Sequence, residues 1–303
     1  MEDILLEPVN YYKRQKGKNI RKILGDLFGK LLGVNETNIE LINEITNDFH
    51  NASLVIDDIE DNGILRRNEP CAHLKYGKPL SMNAGYYSIF KSLTQITQNF
   101  TQETTNKIIE YLQYLHEGQG MDIYYTQNKF IPTLEEYEKM MVYKTGYAFI
   151  MNLELLMDKS TNVIFRKNYE KVKHILILFS LFFQIRDDYI NLTDLEYWNS
   201  KGFCQDFDEE KISYLITYFH NENIKNNNIY TKLNIIEMMK DKSKEGKIKI
   251  IQIFNDSGLF DSIYNKLLQL KQSILGEMNL EFIFNQLSVK PFDINDIDRF
   301  YIE

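Results

Sequence analysis

The sequence has few of the residues that interrupt helices or cross-link a chain. It has 5 prolines and 14 glycines among 303 residues, so long helices can continue where loops would otherwise begin. Its 2 cysteines, Cys71 and Cys204, lie far apart and form no CxxC pair. We therefore expect a helical protein without a disulfide, in a reducing compartment.

Three further absences exclude classes of function. The longest apolar run, ILILFSLFF at 175–183, is too short for a bilayer, which takes about 20 residues, and MEDILLEPVN is neither a signal nor a transit peptide. A net charge of −8 disfavours nucleic acid as a partner. No GxxxxGK[ST] or GxGxxG loop for a nucleotide is present. We expect a cytoplasmic protein without a transmembrane segment or a nucleic-acid partner.

Apolar residues recur at helical spacing along most of the chain. The spacing predicts long helices at 36–61, 103–127, 133–157 and 167–192, and shorter ones at 18–33, 81–98, 211–221, 228–242, 247–256, 258–277 and 294–301. The Asn-rich stretch 221–231 is interpreted as a loop. Because no linker long enough to divide the chain is seen, the prediction is a single all-α domain over residues 1–303.

One short pattern of oxygen-bearing side chains occurs twice, each time after an apolar helical run. On a helix, positions i and i+4 share a face, so each copy forms a compact group of oxygens. Like charges at this spacing need a cation, and hard oxygen ligands suit Mg²⁺. Neither pattern resembles an EF-hand loop, and zinc is disfavoured because no HExxH motif is present and the 5 histidines do not cluster. The two copies are Asp57, Asp58 and Asp61, and Asp187, Asp188 and Asn191.

Basic residues lie close to both acidic patterns in the sequence. Arginine offers phosphate a planar fork of donors, and lysine offers a point charge. Each residue alone is more typical of a protein surface, but their number as a set suits two diphosphate groups. Beside apolar helices, two diphosphates predict substrates with charged heads and apolar tails. The residues are Lys18, Arg21, Arg66, Arg67, Lys144, Lys201 and Lys211.

A series of longer motifs occurs in order between about residues 7 and 215: LEP, GKNIR, HNASLVIDDIEDNGILRR, HEGQGMDIYY, PTLEEYEKMMVYKTG, FFQIRDDYINL and KGFCQDF. In this series the chain resembles the trans-isoprenyl diphosphate synthases, most closely the animal and fungal geranylgeranyl diphosphate synthases. After about residue 215 the resemblance fades. It implies the isoprenoid synthase fold, in which long helices surround a central active-site cavity.

The resemblance also implies a reaction and its partners. A prenyltransferase of this kind condenses dimethylallyl, geranyl or farnesyl diphosphate with isopentenyl diphosphate to give geranylgeranyl diphosphate. The steps are Mg²⁺-assisted ionisation, electrophilic alkylation and proton loss, with three Mg²⁺ per active site and Mn²⁺ as a substitute. The implied assembly is a homodimer or a larger homo-oligomer, and peripheral association with a membrane is open.

The same resemblance assigns individual residues. The implied metal ligands are Asp57, Asp58, Asp61 and Asp187, with Asp188 and Asn191 nearby. The allylic diphosphate is assigned to Arg66, Lys144, Lys201 and Lys211, with Thr145 and Gln184 beside the developing carbocation. Isopentenyl diphosphate is assigned to Lys18, Arg21, His50 and Arg67. The proline that the family carries after Lys211 is absent here, which weakens the placement of that lysine.

Product length is predicted from small residues upstream of the first acidic pattern. Ala52 and Ser53 stand where fifteen-carbon synthases place aromatics, so we expect the product tunnel to continue past them to a floor formed by Ile89, Phe90 and His116. Ile89 replaces the tyrosine usual in the family, which favours twenty carbons and leaves longer products open. The alternative for Ile89 and Phe90 is ordinary core packing.

Two other functions are left open. A class I terpene cyclase has the same fold, but its second metal motif is usually Asn-Asp, Ser and Glu rather than DDYIN, and it has no use for the isopentenyl-binding residues. A non-catalytic partner subunit usually lacks one acidic pattern, whereas both are present here. The sequence does not determine the preferred allylic substrate or the role of the region after about residue 215.

Overall fold

The computed structural model describes residues 1–15, 17–226, 230 and 233–302. Over these residues the chain is almost entirely helical, which confirms the all-α prediction. A π-helical segment, Val142–Gly146, lies between α8 and α9, and the strands β1 (Leu65–Arg66) and β2 (Glu69–Pro70) pair in antiparallel register. In chain order the helices are α1 (Glu2–Leu5), α2 (Glu7–Arg14), α3 (Ile20–Leu31), α4 (Glu36–Glu60), α5 (Ala72–Tyr76), α6 (Lys78–Asn99), α7 (Gln102–Asn128), α8 (Leu134–Met141), α9 (Tyr147–Lys159), α10 (Val163–Arg166), α11 (Tyr169–Thr193), α12 (Leu195–Lys201), α13 (Gln205–Asp208), α14 (Tyr214–Asn226), α15 (Ile235–Met238), α16 (Lys244–Asp256), α17 (Leu259–Glu277), α18 (Glu281–Phe284) and α19 (Asn295–Ile302).

The helices group into two compact units. The first unit comprises Met1–Leu115 and Gly146–Leu176, and the second comprises His116–Thr145 and the chain from Ile177 onward. Both α7 and α11 run through a boundary between the units as continuous helices. The prediction of a single domain is not tested by this division and stays a prediction.

Helix α4 is the centre of the first unit, where it packs against α2, α3, α5, α6 and α9. Ile39, Ile42 and Ile45 recur at helical spacing and are buried, so the amphipathic face lies in the core as predicted. The Asn35 side chain caps the helix by accepting the Asn38 N–H at 2.9 Å. Because α4 ends at Glu60, the first acidic pattern lies at the end of a buried helix.

Helix α11 carries the second acidic pattern and the longest apolar run of the sequence. Phe179 and Phe182 are buried, and in the second unit the Phe182 ring meets Phe284 edge-to-face at 4.8 Å. The run is thus core, as predicted. Among the described residues no helix has both the length and the apolarity that crossing a membrane requires.

The prediction of one helix over 133–157 is only partly right. It begins as predicted at Thr133, which forms a capping box with Glu136, but the π-helical segment interrupts it. Helix α7 passes very close there, since a Cβ at Gly118 would lie 2.2 Å from the Lys144 nitrogen. Only glycine fits at such an approach. Lys144 and Thr145 lie within this π-helical segment. Such segments often occur at functional sites.

The C-terminal predictions also need correction. The Asn-rich stretch interpreted as a loop is helical as far as Asn226, because Phe219 and Asn223 are buried there and tertiary packing overrides the weak helix propensity of asparagine. Residues 227–229 and 231 lie outside the described residues. Of the helix predicted over 228–242, the described part is helical over Ile235–Met238.

Candidate active site

The first acidic pattern holds Arg66 in place. Asp58 is only 4% exposed and accepts hydrogen bonds from Arg66 Nε at 3.0 and 3.1 Å, from Arg66 Nη2, and from the Tyr12 hydroxyl. Asp57 accepts a further bond from Arg66 Nη2 at 3.2 Å. Burial alone would lower the pKa of Arg66, but Asp58 and Asp57 raise it well above its ordinary value. The guanidinium is therefore both charged and fixed.

A two-residue hairpin presents the paired arginines. Arg66 pairs with Glu69 across β1 and β2, and the loop residues Arg67 and Asn68 have φ of 55° and 66°. Positive φ at both loop positions is typical of a type I′ turn, which prefers Asn-Gly. An arginine in this conformation costs about 1 kcal/mol or more, and such strain clusters at functional sites. The unusual turn residues explain why sequence analysis missed the hairpin.

Arg21, His50 and Arg67 form a group of basic side chains in the first unit. Arg21 Nη1 lies 3.1 Å from His50 Nε2; since a guanidinium only donates, Nε2 must accept, and the imidazole is neutral. Burial, Arg21, Arg67 and Arg66 together lower the pKa of His50 well below its ordinary value. Burial and Arg67 likewise lower the pKa of Arg21 to about 10. Because the charges of these side chains repel one another, a bound anion would stabilise the group.

The predicted magnesium ligands of the first unit differ in their surroundings. Asp57 and Asp61 are half-buried at the end of α4, whereas Asp58 is buried and already paired. Among the residues that the structure describes, no group of three or more ligating side chains forms a metal site by itself. Partly exposed carboxylates fit Mg²⁺, which keeps several waters and is usually held by one or two carboxylates with substrate phosphate. The metal-binding role of each aspartate stays a prediction.

In the second unit, Tyr197 connects two predicted site residues. Its hydroxyl accepts a hydrogen bond from Lys201 Nζ at 2.7 Å and lies 3.4 Å from both carboxylate oxygens of Asp187. Asp187 is half-buried, and the long contacts with Tyr197 are weak. The structure thus brings Asp187 and Lys201 to one side chain, as parts of one polar group.

Asp188 is held by neutral donors. Its oxygens accept from the Tyr214 N–H at 2.8 Å, Gln184 Nε2 at 3.1 Å and the Tyr137 hydroxyl at 3.3 Å. Gln184 Oε1 in turn accepts from the Thr145 hydroxyl at 3.2 Å. Burial raises the pKa of Asp188, although Lys211 and the hydrogen bonds oppose the shift. These hydrogen bonds connect Thr145 and Gln184, which were predicted to lie beside the developing carbocation, to Asp188 of the second acidic pattern.

The remaining predicted lysines face carboxylates that sequence analysis did not single out. Lys144 Nζ donates to buried Asp122 at 2.6 Å. Burial would lower the pKa of Lys211, but Asp206, Asp188 and Asp122 raise it well above its ordinary value. The placement of Lys211 is therefore compatible with its predicted role despite the missing proline. Asp122 and Asp206 lie in the motifs HEGQGMDIYY and KGFCQDF, the only signal that pointed to them.

Asn191 lies in a reciprocal pair with Asp206. Its amide donates to Asp206 Oδ1 at 2.8 Å, and its oxygen accepts the Asp206 N–H at 3.2 Å. The pair joins α11 to α13. Burial, together with Asp188 and other carboxylates, raises the pKa of Asp206 well above its ordinary value despite Lys211. The last position of the second pattern thus has a structural partner.

The residues predicted to limit product length are not alike in exposure. Ala52 is fully buried, Ile89 is half-buried, and Ser53 is exposed, with its hydroxyl donating to the His50 carbonyl at 2.8 Å. Phe90 is 64% exposed, so ordinary core packing does not describe it. His116 is exposed in the second unit. Their role in chain length stays a prediction.

The structure thus places an acidic pattern near the end of each of two helices of an all-α protein, with basic groups close to each pattern. The polyprenyl synthetase family model matches residues 2–254. The chain is also 35% identical over 277 residues to a geranylgeranyl pyrophosphate synthase of Mucor circinelloides f. lusitanicus, which covers 91% of this chain and 88% of that protein. The chain therefore belongs to the polyprenyl synthetase family, whose members are generally Mg²⁺-dependent.

Other relatives are named as terpene synthases. The chain is 38% identical over 218 residues to a terpene synthase of Matsumurasca onukii, covering 72% of this chain and 70% of that protein. It is 32% identical over 276 residues to a sesterterpene synthase of Neocamarosporium betae, covering 89% of this chain but 37% of that protein. The chain thus spans about a third of that relative. The family match also runs past residue 215, where we expected the resemblance to fade.

Proposed function

We propose that the protein is a trans-prenyltransferase that condenses an allylic diphosphate with isopentenyl diphosphate to give geranylgeranyl diphosphate. The basic group of the first unit carries the proposal, because Arg21 Nη1 lies 3.1 Å from His50 Nε2, and burial together with the charges of Arg21 and Arg67 lowers the pKa of His50. A diphosphate supplies the anion that such a group lacks. Family membership supports the proposal, as does 33% identity to a geranylgeranyl pyrophosphate synthase of Dictyostelium discoideum.

We assign isopentenyl diphosphate to this basic group, with Lys18 from the loop before α3. Neutral His50 donates from Nδ1, since its Nε2 accepts from Arg21. The two guanidiniums supply bidentate donors. An isopentenyl diphosphate bound here would raise the pKa values of Arg21 and His50, because it offsets the repulsion among the cations, while the effect of burial remains.

We assign the allylic diphosphate to a second set of cations, each of which is oriented or kept charged by a neighbouring side chain. Asp58 orients Arg66, Asp122 orients Lys144, and Tyr197 orients Lys201. Lys211 stays charged because carboxylates raise its pKa. Groups fixed before the reaction need no reorganisation as charge develops on the leaving diphosphate. The dimethylallyl, geranyl and farnesyl compounds share this charged head.

Magnesium belongs to the same proposal, with three ions per site and Mn²⁺ as a substitute. Asp57, Asp61 and Asp187 would hold it, because these carboxylates are half-buried and hard oxygen ligands suit Mg²⁺. When bound, magnesium supplies charge stabilisation to the departing diphosphate. Asp58 has another part in the proposal, because its carboxylate keeps Arg66 in place.

The bond changes follow from these assignments. The allylic C–O bond breaks and leaves its electron pair on the diphosphate. The double bond of isopentenyl diphosphate attacks the allylic cation, and the proton lost from the new cation passes to the released diphosphate. Thr145 and Gln184, which share a hydrogen bond of 3.2 Å, would stabilise the developing positive charge with their oxygens, and the site must exclude water that would capture the cation.

The test is product analysis with the purified full chain and Mg²⁺. Radiolabelled isopentenyl diphosphate is supplied with dimethylallyl, geranyl or farnesyl diphosphate, and we expect label in a twenty-carbon diphosphate. No incorporation with any allylic partner would contradict the proposal. Incorporation only after a second subunit is added would instead make this chain a partner subunit.

A terpene synthase is the second candidate, favoured by the 38% identity to the protein of Matsumurasca onukii. It would ionise the same allylic substrate but would not use the Arg21, His50 and Arg67 group. Incubation with farnesyl or geranylgeranyl diphosphate alone distinguishes the two. A cyclic hydrocarbon released without isopentenyl incorporation would establish this candidate in place of the first.

We further propose that Ile89 limits the product to about twenty carbons. Ile89 lies on α6, whose Gly85 approaches the Ala52 carbonyl on α4, so a larger side chain at 89 lies near the predicted tunnel. Ile89→Tyr is expected to shorten the product or leave it unchanged, measured by chromatography of the released alcohols. Longer products would contradict the assignment. Gln98→Ala, at an exposed position of α6 outside the predicted floor, is the control.

Assembly and location are proposals as well. Met82, Tyr86 and Phe90 recur one turn apart on α6 and are exposed, which supports burial against another copy in a homodimer or larger oligomer. We propose a cytoplasmic protein that associates at most peripherally with a membrane. Analytical ultracentrifugation of the wild type and of Phe90→Glu tests the assembly, since a monomeric wild type would contradict it.

A further inference from the structure

Tyr12 lies in the core of the first unit, and its hydroxyl has two polar partners. Its side chain, on α2, is fully buried in an apolar cluster with residues of α4, α5 and α6. The hydroxyl accepts the Ala72 N–H at 2.9 Å and donates to Asp58 Oδ2. Because a backbone N–H already occupies its acceptor side, the hydroxyl hydrogen is directed at Asp58. The hydroxyl therefore has one defined orientation.

Asp58 passes this orientation to Arg66. Its Oδ2 is shared between the Tyr12 hydroxyl and Arg66 Nε, and its Oδ1 takes Nε and Nη2 of the same guanidinium. A bidentate pair of this kind fixes the plane of the guanidinium as well as its position. The Tyr12 hydroxyl thus determines which way the Arg66 plane faces.

The backbone of the same residue contacts the other arginine. Arg67 Nη1 donates to the Tyr12 carbonyl at 3.0 Å. Tyr12 therefore contacts Arg67 directly with its carbonyl and reaches Arg66 through Asp58 with its hydroxyl. Substituting the side chain changes the second connection and leaves the first in place.

We propose that Tyr12 is a positioning residue of the substrate site: its hydroxyl, through Asp58, orients Arg66 for the allylic diphosphate, and its carbonyl orients Arg67 for isopentenyl diphosphate. This inference rests on the proposed function, which assigns the two arginines to different substrates. It also gives the second aspartate of the first pattern a role as the counter-ion of Arg66. The side chain of Tyr12 touches no substrate in this arrangement.

The test is Tyr12→Phe, which removes the hydroxyl and keeps the ring and the carbonyl. We expect the KM for farnesyl diphosphate to rise about tenfold, the lower end of the effect of losing an outer-shell partner, while the KM for isopentenyl diphosphate stays within about twofold. Unchanged values for both substrates, or an equal rise in both, would overturn the proposal. A purely structural role predicts no such selectivity.

Tyr11→Phe is the matched control. Tyr11 is the neighbouring buried tyrosine on α2, and its hydroxyl donates to the Pro70 carbonyl at 3.1 Å, so the variant also loses one largely buried hydroxyl bond. We expect its KM values to stay at those of the wild type. A rise for farnesyl diphosphate equal to that of Tyr12→Phe would overturn the proposal, because both would then report general loosening of α2.

A double variant tests whether the effect passes through Arg66. In an Arg66→Lys background the bidentate pair with Asp58 is lost, so adding Tyr12→Phe should change the KM for farnesyl diphosphate by less than about twofold. Full additivity of the two changes would contradict the proposed route.

Binding of inorganic diphosphate separates this inference from the proposed function. Isothermal titration calorimetry at low temperature needs no turnover, and it can be applied to a variant whose free energy of unfolding is reduced. We expect the Arg66 site of Tyr12→Phe to bind diphosphate about tenfold more weakly than that of Tyr11→Phe, while the site at Arg21, His50 and Arg67 is unchanged, whether or not the wild type condenses isopentenyl diphosphate. Equal affinities would overturn the inference even if the wild type proves an active prenyltransferase.

Discussion

The two acidic patterns have the same spacing of oxygen-bearing side chains and opposite electrostatic surroundings. In the first unit, Asp58 pairs with Arg66, and burial together with neighbouring cations lowers the pKa of His50. In the second unit, Asp188 is held by neutral donors, and burial raises the pKa values of Asp188 and Asp206. One surrounding has an excess of positive charge and the other an excess of carboxylates.

The difference shows that a motif defines a set of ligands but not the field in which they act. A buried carboxylate is stabilised either by a paired cation or by hydrogen bonds to its oxygens. Hydrogen bonds from neutral donors offset less of the free energy that is lost when the charge is buried. The first surrounding holds the guanidiniums that are proposed to bind isopentenyl diphosphate, whereas the second holds buried carboxylates with raised pKa values. The following experiments test this contrast, from the largest expected effect to the smallest.

The largest effect is expected from Asp57→Ala. The variant removes a proposed metal ligand that also accepts from Arg66 at 3.2 Å, so the turnover number should fall about a thousandfold, the scale for losing one group that stabilises developing charge. Steady-state kinetics with farnesyl and isopentenyl diphosphates measure it. Glu60→Ala, at an exposed position of the same helix, is the control, and a near-normal rate for Asp57→Ala would contradict the metal assignment.

Asp58→Asn and Asp188→Asn compare the two ways of stabilising a buried carboxylate. Asp58→Asn leaves a buried guanidinium short of its main partner, so the free energy of unfolding should fall by about 3–5 kcal/mol. Asp188→Asn keeps an oxygen for the Tyr214 N–H and removes a charge that burial disfavours, so we expect a loss of about 1 kcal/mol. Urea unfolding at pH 7 measures both, and equal losses would mean that the two surroundings do not differ as described.

Exchanging the residues at positions 191 and 206 tests the reciprocal pair of hydrogen bonds between Asn191 and Asp206 in the second unit. Asn191→Asp alone places a second carboxylate against buried Asp206, and we expect a loss of about 2 kcal/mol. Adding Asp206→Asn restores one amide donor and one acceptor, so the double variant should recover most of the loss in thermal unfolding. If the double variant is less stable than Asn191→Asp, the reciprocal pair does not account for the effect.

The smallest effect concerns pH and His50. Because its folded pKa lies below the unfolded value of about 6.5, the unfolded chain takes up a proton first, and stability falls as the pH drops below that value. Between pH 7.5 and 5.5 the wild type should lose about 1 kcal/mol that His50→Gln does not lose. The shifts of Asp188 and Asp206 have the opposite sign, since stability is lost there as the pH rises above their unfolded pKa of about 4. Parallel pH profiles for wild type and His50→Gln would rule out a lowered pKa.

Much of the fold was predictable because its signals are local. The periodicity of α4 and the capping box at Thr133 depend on residues within a few positions of one another. The π-helical segment was not predictable, since it depends on the approach of Gly118 to Lys144. The hairpin at Arg67 was missed because its loop lacks the usual Asn-Gly pair.

The candidate site divides in the same way. Its acidic and basic residues could be named from spacing and family resemblance, although their roles stay predictions. Their partners could not, because Tyr12 precedes Asp58 by 46 positions and Asp122 precedes Lys144 by 22. No helical periodicity connects residues so far apart in the sequence. Asp58 rather than Asp57 is the buried carboxylate because it contacts distant partners such as Tyr12.

By itself the sequence determined that the chain is helical, that two carboxylate patterns end apolar helices, and that cations accompany them, because helix periodicity and composition act over short distances. Only the tertiary structure decided which carboxylate Arg66 would pair with, that His50 is neutral, and that Asn191 binds Asp206. Burial and charge at each of these positions come from helices distant in sequence. Hydrogen bonds and pKa values follow from that assembled environment rather than from the motif.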